Sequence, residues 1–192
     1  MLDPAALKEL IQKRRSIFPA TYNDTPIPKE IIDEVLESAN WAPTHKKTEP
    51  WRFKVLRGAA LERLSVFLSE RYKATTPADK FSAKKYEKLG KNPKKADTII
   101  AICMQREPEE SLPEWEELAA VAMAVQNMYL TCTAHHIGCF WSSPKVALEA
   151  DEFLGLQDGE KCWGLFYMAN HNMPEIPGER GPIEDKVEWI EA

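Results

Sequence analysis

Apolar residues recur along the chain with two different periods, and the alternation between them outlines the elements. Leu7, Leu10, Ile11 and Arg14 share one stripe at helical spacing behind Asp3 as N-cap and Pro4 at the first helical position. This predicts a first helix whose inward face ends in a guanidinium. Pro28 opens a second helix with the apolar face Ile31, Ile32, Val35, Leu36 and Ala39. Pro43 ends it by Trp41-Ala42, because the residue before a proline avoids helical angles. Trp51, Phe53 and Val55 alternate with Arg52 and Lys54, the period of a strand with one covered face. Leu61, Leu64, Phe67 and Leu68 return to helical spacing.

Residues 98–104 are a continuous apolar run suited to a buried strand. Residues 115–137 carry Leu118, Val121, Ala122, Val125, Tyr129 and Cys132 three or four apart, a long central helix with Gly138 as its stop. Cys139-Phe140-Trp141 reads as a short strand, and Ser143-Pro144 as cap and first residue of another helix. Residues 162–168 read as a further buried strand, and Val187 to Ile190 as a strand-like end. Helices and strands mix without regular βαβ alternation, so the expected class is α+β. No repeat or linker divides the chain, and one domain over residues 1–192 is expected. So long an irregular connection near the end predicts a tail, about 171–192, that travels over a surface.

Composition narrows the chemistry. Lys+Arg 25 against Asp+Glu 30 gives a net charge of −5, against the basic surplus of a nucleic-acid binder. The N-terminus shows no signal peptide, and no apolar run approaches the ~20 residues that span a bilayer, so a cytoplasmic protein is expected. The cysteines Cys103, Cys132, Cys139 and Cys162 lie at no metal spacing and read as buried thiols. The lysine-rich residues 73–96 read as a solvated helical face, or functionally as an anion-attracting rim. Only 8 glycines occur, and neither glycine-rich nucleotide fingerprint is present, so a bound nucleotide would be held by side chains.

Three segments carry candidate chemistry. In Arg14-Arg15-Ser16, a guanidinium on an inward stripe needs an anion, either a ligand's carboxylate or phosphate or an acidic side chain of the protein. Residues 41–53, W-A-P-T-H-K-K-T-E-P-W-R-F, form a polar loop stiffened by two prolines; His45 is an exposed loop residue or a ligand contact. Trp141-Ser142-Ser143-Pro144 sets an aromatic and hydroxyls at a helix start, a cap or a place for anions.

Together these segments resemble the nitroreductase family of FMN-dependent oxidoreductases, most closely small members whose loop reads A-P-x-H-K-x-x-x-P-W-R-F, here Ala42 to Phe53. The resemblance runs from the R-R-S element to about Asn170. It implies a mostly antiparallel central sheet flanked by helices, with a C-terminal extension, and a homodimer with FMN at the subunit interface. It implies that Arg14, Arg15 and Ser16 hold the phosphate and ribityl end. Trp41 and His45 then line the flavin, often from the partner subunit, and Trp141, Ser142 and Ser143 pass along its ring. Many members place a basic pair near the C-terminus for the phosphate; Arg180 and Lys186 are the candidates here. The implied activity is ping-pong transfer of electrons from NADH or NADPH through FMN to an electron-poor small molecule such as a nitroaromatic, quinone or enone. The alternative is an FMN storage, delivery or sensor protein. No residue is assigned a catalytic role outright; His45 is the candidate proton donor or positioning group.

Overall fold

The computed structural model describes residues 3–109 and 111–191; Met1 and Leu2, part of the N-terminal reading, lie outside them, as do Glu110 and Ala192. In chain order the elements are α1 (Pro4–Lys13), α2 (Lys29–Asn40), β1 (Trp51–Arg57), α3 (Ala59–Thr75), α4 (Ala83–Lys91) and β2 (Thr98–Gln105). Then follow α5 (Glu114–Ala134), β3 (Gly138–Ser142), α6 (Lys145–Leu148), α7 (Asp151–Leu154) and β4 (Glu160–Ala169). The strands form one sheet in the order β1-β2-β4-β3, every neighbouring pair antiparallel, as expected for α+β. No helix among the described residues is long and apolar enough to cross a membrane.

The apolar run of β2 is continuous because helices cover both faces of the sheet. Ile100, Ile102 and Met104 face α2 and α5 together with Phe166 and Met168 of β4. Ile99, Ala101 and Cys103 point the other way, into a second core with Leu64 and Leu68 of α3 and Val146 of α6. Two-sided cover also explains β1: Trp51 is buried in one core and Leu56 in the other, while Val55, expected on the covered face, stays exposed. α5 is the central helix, burying Ala120, Val121, Ala124, Val125, Met128 and Cys132. All four cysteines are buried and free.

Four local expectations need correction. α1 buries no residue; Leu7 and Ile11 are exposed, so Arg14 does not enter a core but caps the helix end. α1 lies against α5 as an added outer layer, and Leu7 and Ile11 of its stripe stay exposed. α5 stops at Ala134, before Gly138, because His136 takes the left-handed turn (φ 55°). The Ile137 N–H then reaches Cys132 O at 2.8 Å and the His136 N–H reaches Thr133 O at 3.1 Å, a Schellman closure. Gly138 instead begins β3. Pro144 is the cap of α6, not its first residue, and Ser143 makes no side-chain cap bond. Residues 187–190 form no strand among the described residues; Trp189 and Ile190 are 82% and 92% exposed, with no neighbouring strand to supply a ladder.

The residues between β2 and α5 are pinned by a buried ion pair. Glu117, fully buried on α5, accepts from Arg106 Nε and from the Glu107 N–H, both at 2.8 Å, while Arg106 Nη2 donates to Leu112 O at 2.6 Å. Removing one member of such a pair leaves a buried charge uncompensated, so Glu117→Ala should lower unfolding stability by about 3–5 kcal/mol. A urea titration showing a loss below about 1 kcal/mol would mean the loop is held by something else.

Candidate functional site

At Arg14 the chain leaves α1 and turns into an extended path beside β3, where the Ile17 N–H donates to Cys139 O at 2.9 Å. The Arg14 guanidinium stands 5.1 Å from the ring centroid of Tyr129 on α5. The Tyr129 hydroxyl accepts the backbone N–H of Trp141 at 2.7 Å, and Ser16 lies beside the same phenol. Burial pushes the pKa of this phenol up; the Trp141 N–H, Ser16 and Arg14 oppose the rise. Arg14 and Ser16 from one motif and Trp141 from another therefore meet around one half-buried ring.

Arg15 points the other way, toward the C-terminal segment. Its guanidinium donates to Gln12 O at 2.6 Å, Arg14 O at 2.7 Å and Ile176 O at 3.2 Å, all neutral carbonyls. Neither Arg14 nor Arg15 has a carboxylate partner among the described residues, in a chain with more acidic than basic side chains. Gly178 lies directly against the Arg15 guanidinium, where any β-carbon would collide with it. Between the tail, the end of α1 and the end of α5 lies a cavity of about 1040 Å³, lined by Gln12, Arg14, Arg15, His136, His171 and Arg180 among others. Burial and the neighbouring His136 lower the basicity of His171. Arg180 thus shares the cavity with the first arginines, whereas Lys186 folds back onto Pro182 O at 2.7 Å.

β3 carries the third motif. Trp141 is half-buried, its indole Nε1–H donating to Trp163 O of β4 at 3.0 Å. Gly164 (φ 133°) makes this possible, since a β-carbon there would lie 2.5 Å from Trp141 Nε1 and 2.6 Å from Ser142 O. Ser142 pairs with Leu165 at the strand end, and Ser143 is exposed beyond it. The Trp163 indole N–H is buried without a hydrogen-bond partner.

The helix–strand loop stands apart from this group. Trp41 caps α2, is 78% exposed and donates from Nε1 to Glu37 Oε1 at 2.8 Å. His45 Nδ1 lies 2.6 Å from Glu116 Oε2 in the first turn of α5. Glu116 and Tyr129 mark the two anchoring points on α5, and thirteen residues at 1.5 Å per residue separate them by about 20 Å. Within one subunit, then, Trp41 and His45 do not join Arg14, Ser16 and Trp141.

Sequence reasoning passed over Tyr129, His136, His171, Trp163 and Gly178. Tyr129 was legible as the one hydroxyl on an apolar helix stripe. The others answer only to tertiary contacts.

The Nitroreductase family matches residues 11–169. The "Putative NAD(P)H nitroreductase YfhC" of Bacillus subtilis (strain 168) is 29% identical over 189 residues, 95% of this chain and 93% of that protein. A solved nitroreductase-like family protein from Bacillus cereus covers 100% of both chains with a TM-score of 0.78 at 26% identity. The FMN-dependent nitroreductase NfnB from Mycobacterium smegmatis, crystallised with NADPH, covers 97% of this chain and 99% of its own, with a TM-score of 0.76 at 16% identity, and shares the fold. With the match running from within α1 to the end of β4, the chain belongs to the Nitroreductase family.

Proposed function

We infer that the protein is an FMN-dependent NAD(P)H oxidoreductase that reduces electron-poor small molecules and works as a homodimer. The observation that carries this reading is the pair Arg14 and Arg15, two guanidinium groups without carboxylate partners beside a cavity of about 1040 Å³. A phosphomonoester is the anion such planar forks accept, and Arg180 adds a third positive charge to the same wall. The cavity is large enough for a dinucleotide-sized or smaller ligand. The residues therefore fit the group that the family relatives are named for.

Bound FMN would supply two-electron redox chemistry between the nicotinamide and the acceptor. Each residue's part follows from its place. Arg14 and Arg15 hold the phosphate, and Ser16 adds a hydroxyl beside them. Tyr129 fixes the backbone of Trp141, so the indole presents a rigid wall along the ring. Ser142 and Ser143 at the end of β3 offer polar atoms to the ring's edge.

Trp41 and His45 complete this site only from a second subunit. The point midway between Glu116 and Tyr129 on α5 falls at Ala122 and Met123, both exposed. A two-fold axis passing there would set the Glu116 end of one α5 beside the Tyr129 end of the other. The uncovered apolar positions Leu7, Ile11, Trp115 and Met123 support association on this side, as do Trp189 and Ile190 in the tail.

Purified protein mixed with FMN should quench flavin fluorescence with a saturable midpoint, and anaerobic NADH or NADPH should bleach the bound flavin. Flavin binding without reduction by either donor would favour a storage or delivery role. Arg14→Ala should weaken FMN binding about tenfold or more while the protein stays folded, the size expected for one charge-assisted hydrogen bond; unchanged affinity would overturn the phosphate assignment. Met123→Glu should yield monomers in analytical ultracentrifugation and lose FMN affinity with them. A dimer that persists in this variant would place the two-fold axis elsewhere. Gly164→Ala should cost more than about 1 kcal/mol, since it forces a strained backbone and displaces Trp141. Equal thermal unfolding of variant and native protein would remove Gly164 from the account of how Trp141 is placed.

A further inference from the structure

Three of the four non-glycine residues with positive φ among the described residues lie in the loop beside His45. They are Lys46 (49°), Lys47 (58°) and Glu49 (43°). Such angles are costly for an L-residue and persist only where neighbouring contacts over-determine the backbone. The contacts are present. Thr44 Oγ1 lies 3.1 Å from Thr48 Oγ1 and accepts the Glu49 N–H at 3.2 Å, while the Thr48 N–H donates to His45 O at 3.2 Å. The loop is held in one shape, and its shape fixes where the imidazole stands.

The carboxylate that meets this ring has no other partner among the described residues. In the first turn of α5, Glu114 pairs with Lys161 at 2.9 Å and Glu117 with Arg106 at 2.8 Å, which leaves Glu116 to His45 alone. The pair is graded outward, with the Glu116 side chain 24% exposed and His45 57%. The carboxylate sits inside and the imidazole outside, with Nδ1 turned inward and Nε2 free of any protein partner among the described residues.

We propose that Glu116 is a positioning residue for the reduction. It accepts the Nδ1–H of His45 and so makes Nε2 the ring atom that exchanges a proton with the bound acceptor. The proposal rests on the reading of His45 as a residue facing the flavin and acceptor. The proton step balances simply. NAD(P)H supplies two electrons by way of the cofactor, and the acceptor's newly anionic atom takes the proton from Nε2 of the imidazolium. The Nε2–H bond breaks as the new bond to hydrogen forms, Nδ1–H stays on Glu116, and water returns a proton to Nε2. A carboxylate that orients a histidine through one nitrogen while the other does chemistry is a general arrangement. Here the carboxylate comes from a helix of the core rather than from the loop itself.

The test begins on flavin-free, 15N-labelled protein at alkaline pH, where imidazole nitrogen shifts report which nitrogen carries hydrogen. Native His45 should be the Nδ1–H tautomer, and Glu116→Gln should move it toward Nε2–H, the form favoured in water. In FMN-loaded enzyme under anaerobic cycling with a nitroaromatic or quinone, Glu116→Gln should lower kcat about tenfold, the usual scale for losing an orienting partner, with KM for the acceptor unchanged. His45→Gln should lose at least as much, and the double variant no more than His45→Gln alone. Native His45 found as Nε2–H, a full kcat in Glu116→Gln, or additive losses in the double variant would each overturn the proposal. The flavin reading fails separately, by absence of FMN binding or of reduction by NAD(P)H, and the nitrogen shifts then still decide whether Glu116 orients the ring. Gln replaces Glu without change of shape on a partly exposed helix turn, and circular dichroism checks that it folds.

Discussion

A straight α-helix is a rigid ruler, and α5 measures out this molecule. Most of its 21 residues are apolar, covered by the sheet, α2 and α1 but open at positions such as Ala122 and Met123. The first turn carries three glutamates, each bound to a different neighbour; Asn127 reaches Ser38 O of α2 from the middle of the helix, and the Tyr129 phenol lies toward its far end. Sliding the helix along the sheet would break the Glu117 clamp at one end and the Tyr129–Trp141 bond at the other. The relative placement of the two candidate regions is therefore set by helix length, and no side-chain rearrangement can close a gap of about 20 Å.

Much of this was legible in the chain before any coordinates. Residues 98–104 read as a buried strand and stand as β2; the stripe from Leu118 to Cys132 read as a long central helix and stands as α5, though the helix stops short of the expected residue 137. What misled was the stripe of α1. Leu7, Leu10, Ile11 and Arg14 have core periodicity, but a single sequence cannot say whether the surface they face belongs to the same chain. The same ambiguity produced a strand from Val187 to Ile190, whose alternation has no ladder to join within the subunit. Helix ends proved equally local: glycine is the usual left-handed terminator, and His136 took that role two residues earlier.

The candidate site shows where sequence motifs stop being informative. Arg14 and Ser16 come from one stretch and Trp141 from another, and nothing in their spacing says that one phenol gathers them. Conversely, Trp41 and His45 look adjacent to everything because they occupy one compact motif, yet their contacts are with Glu37 and Glu116, at the other end of the ruler. Motifs report which groups are available. Register, helix length and the conformation of residues such as Lys46 and Lys47 decide which of them meet.

The edges of the sheet have a consequence for how copies of this chain can come together. β1 forms one edge and carries Arg52, Lys54 and Arg57 along its seven residues, charged side chains that disfavour a further strand even with Lys54 and Arg57 paired to Glu160 and Asp97. β3 forms the other edge, only five residues long, and the segment after α1 already occupies part of it through the Ile17–Cys139 bond. Neither edge invites continuation of the sheet. Growth into open-ended β-stacks is blocked on both sides, and assembly is steered toward closed contacts between helices.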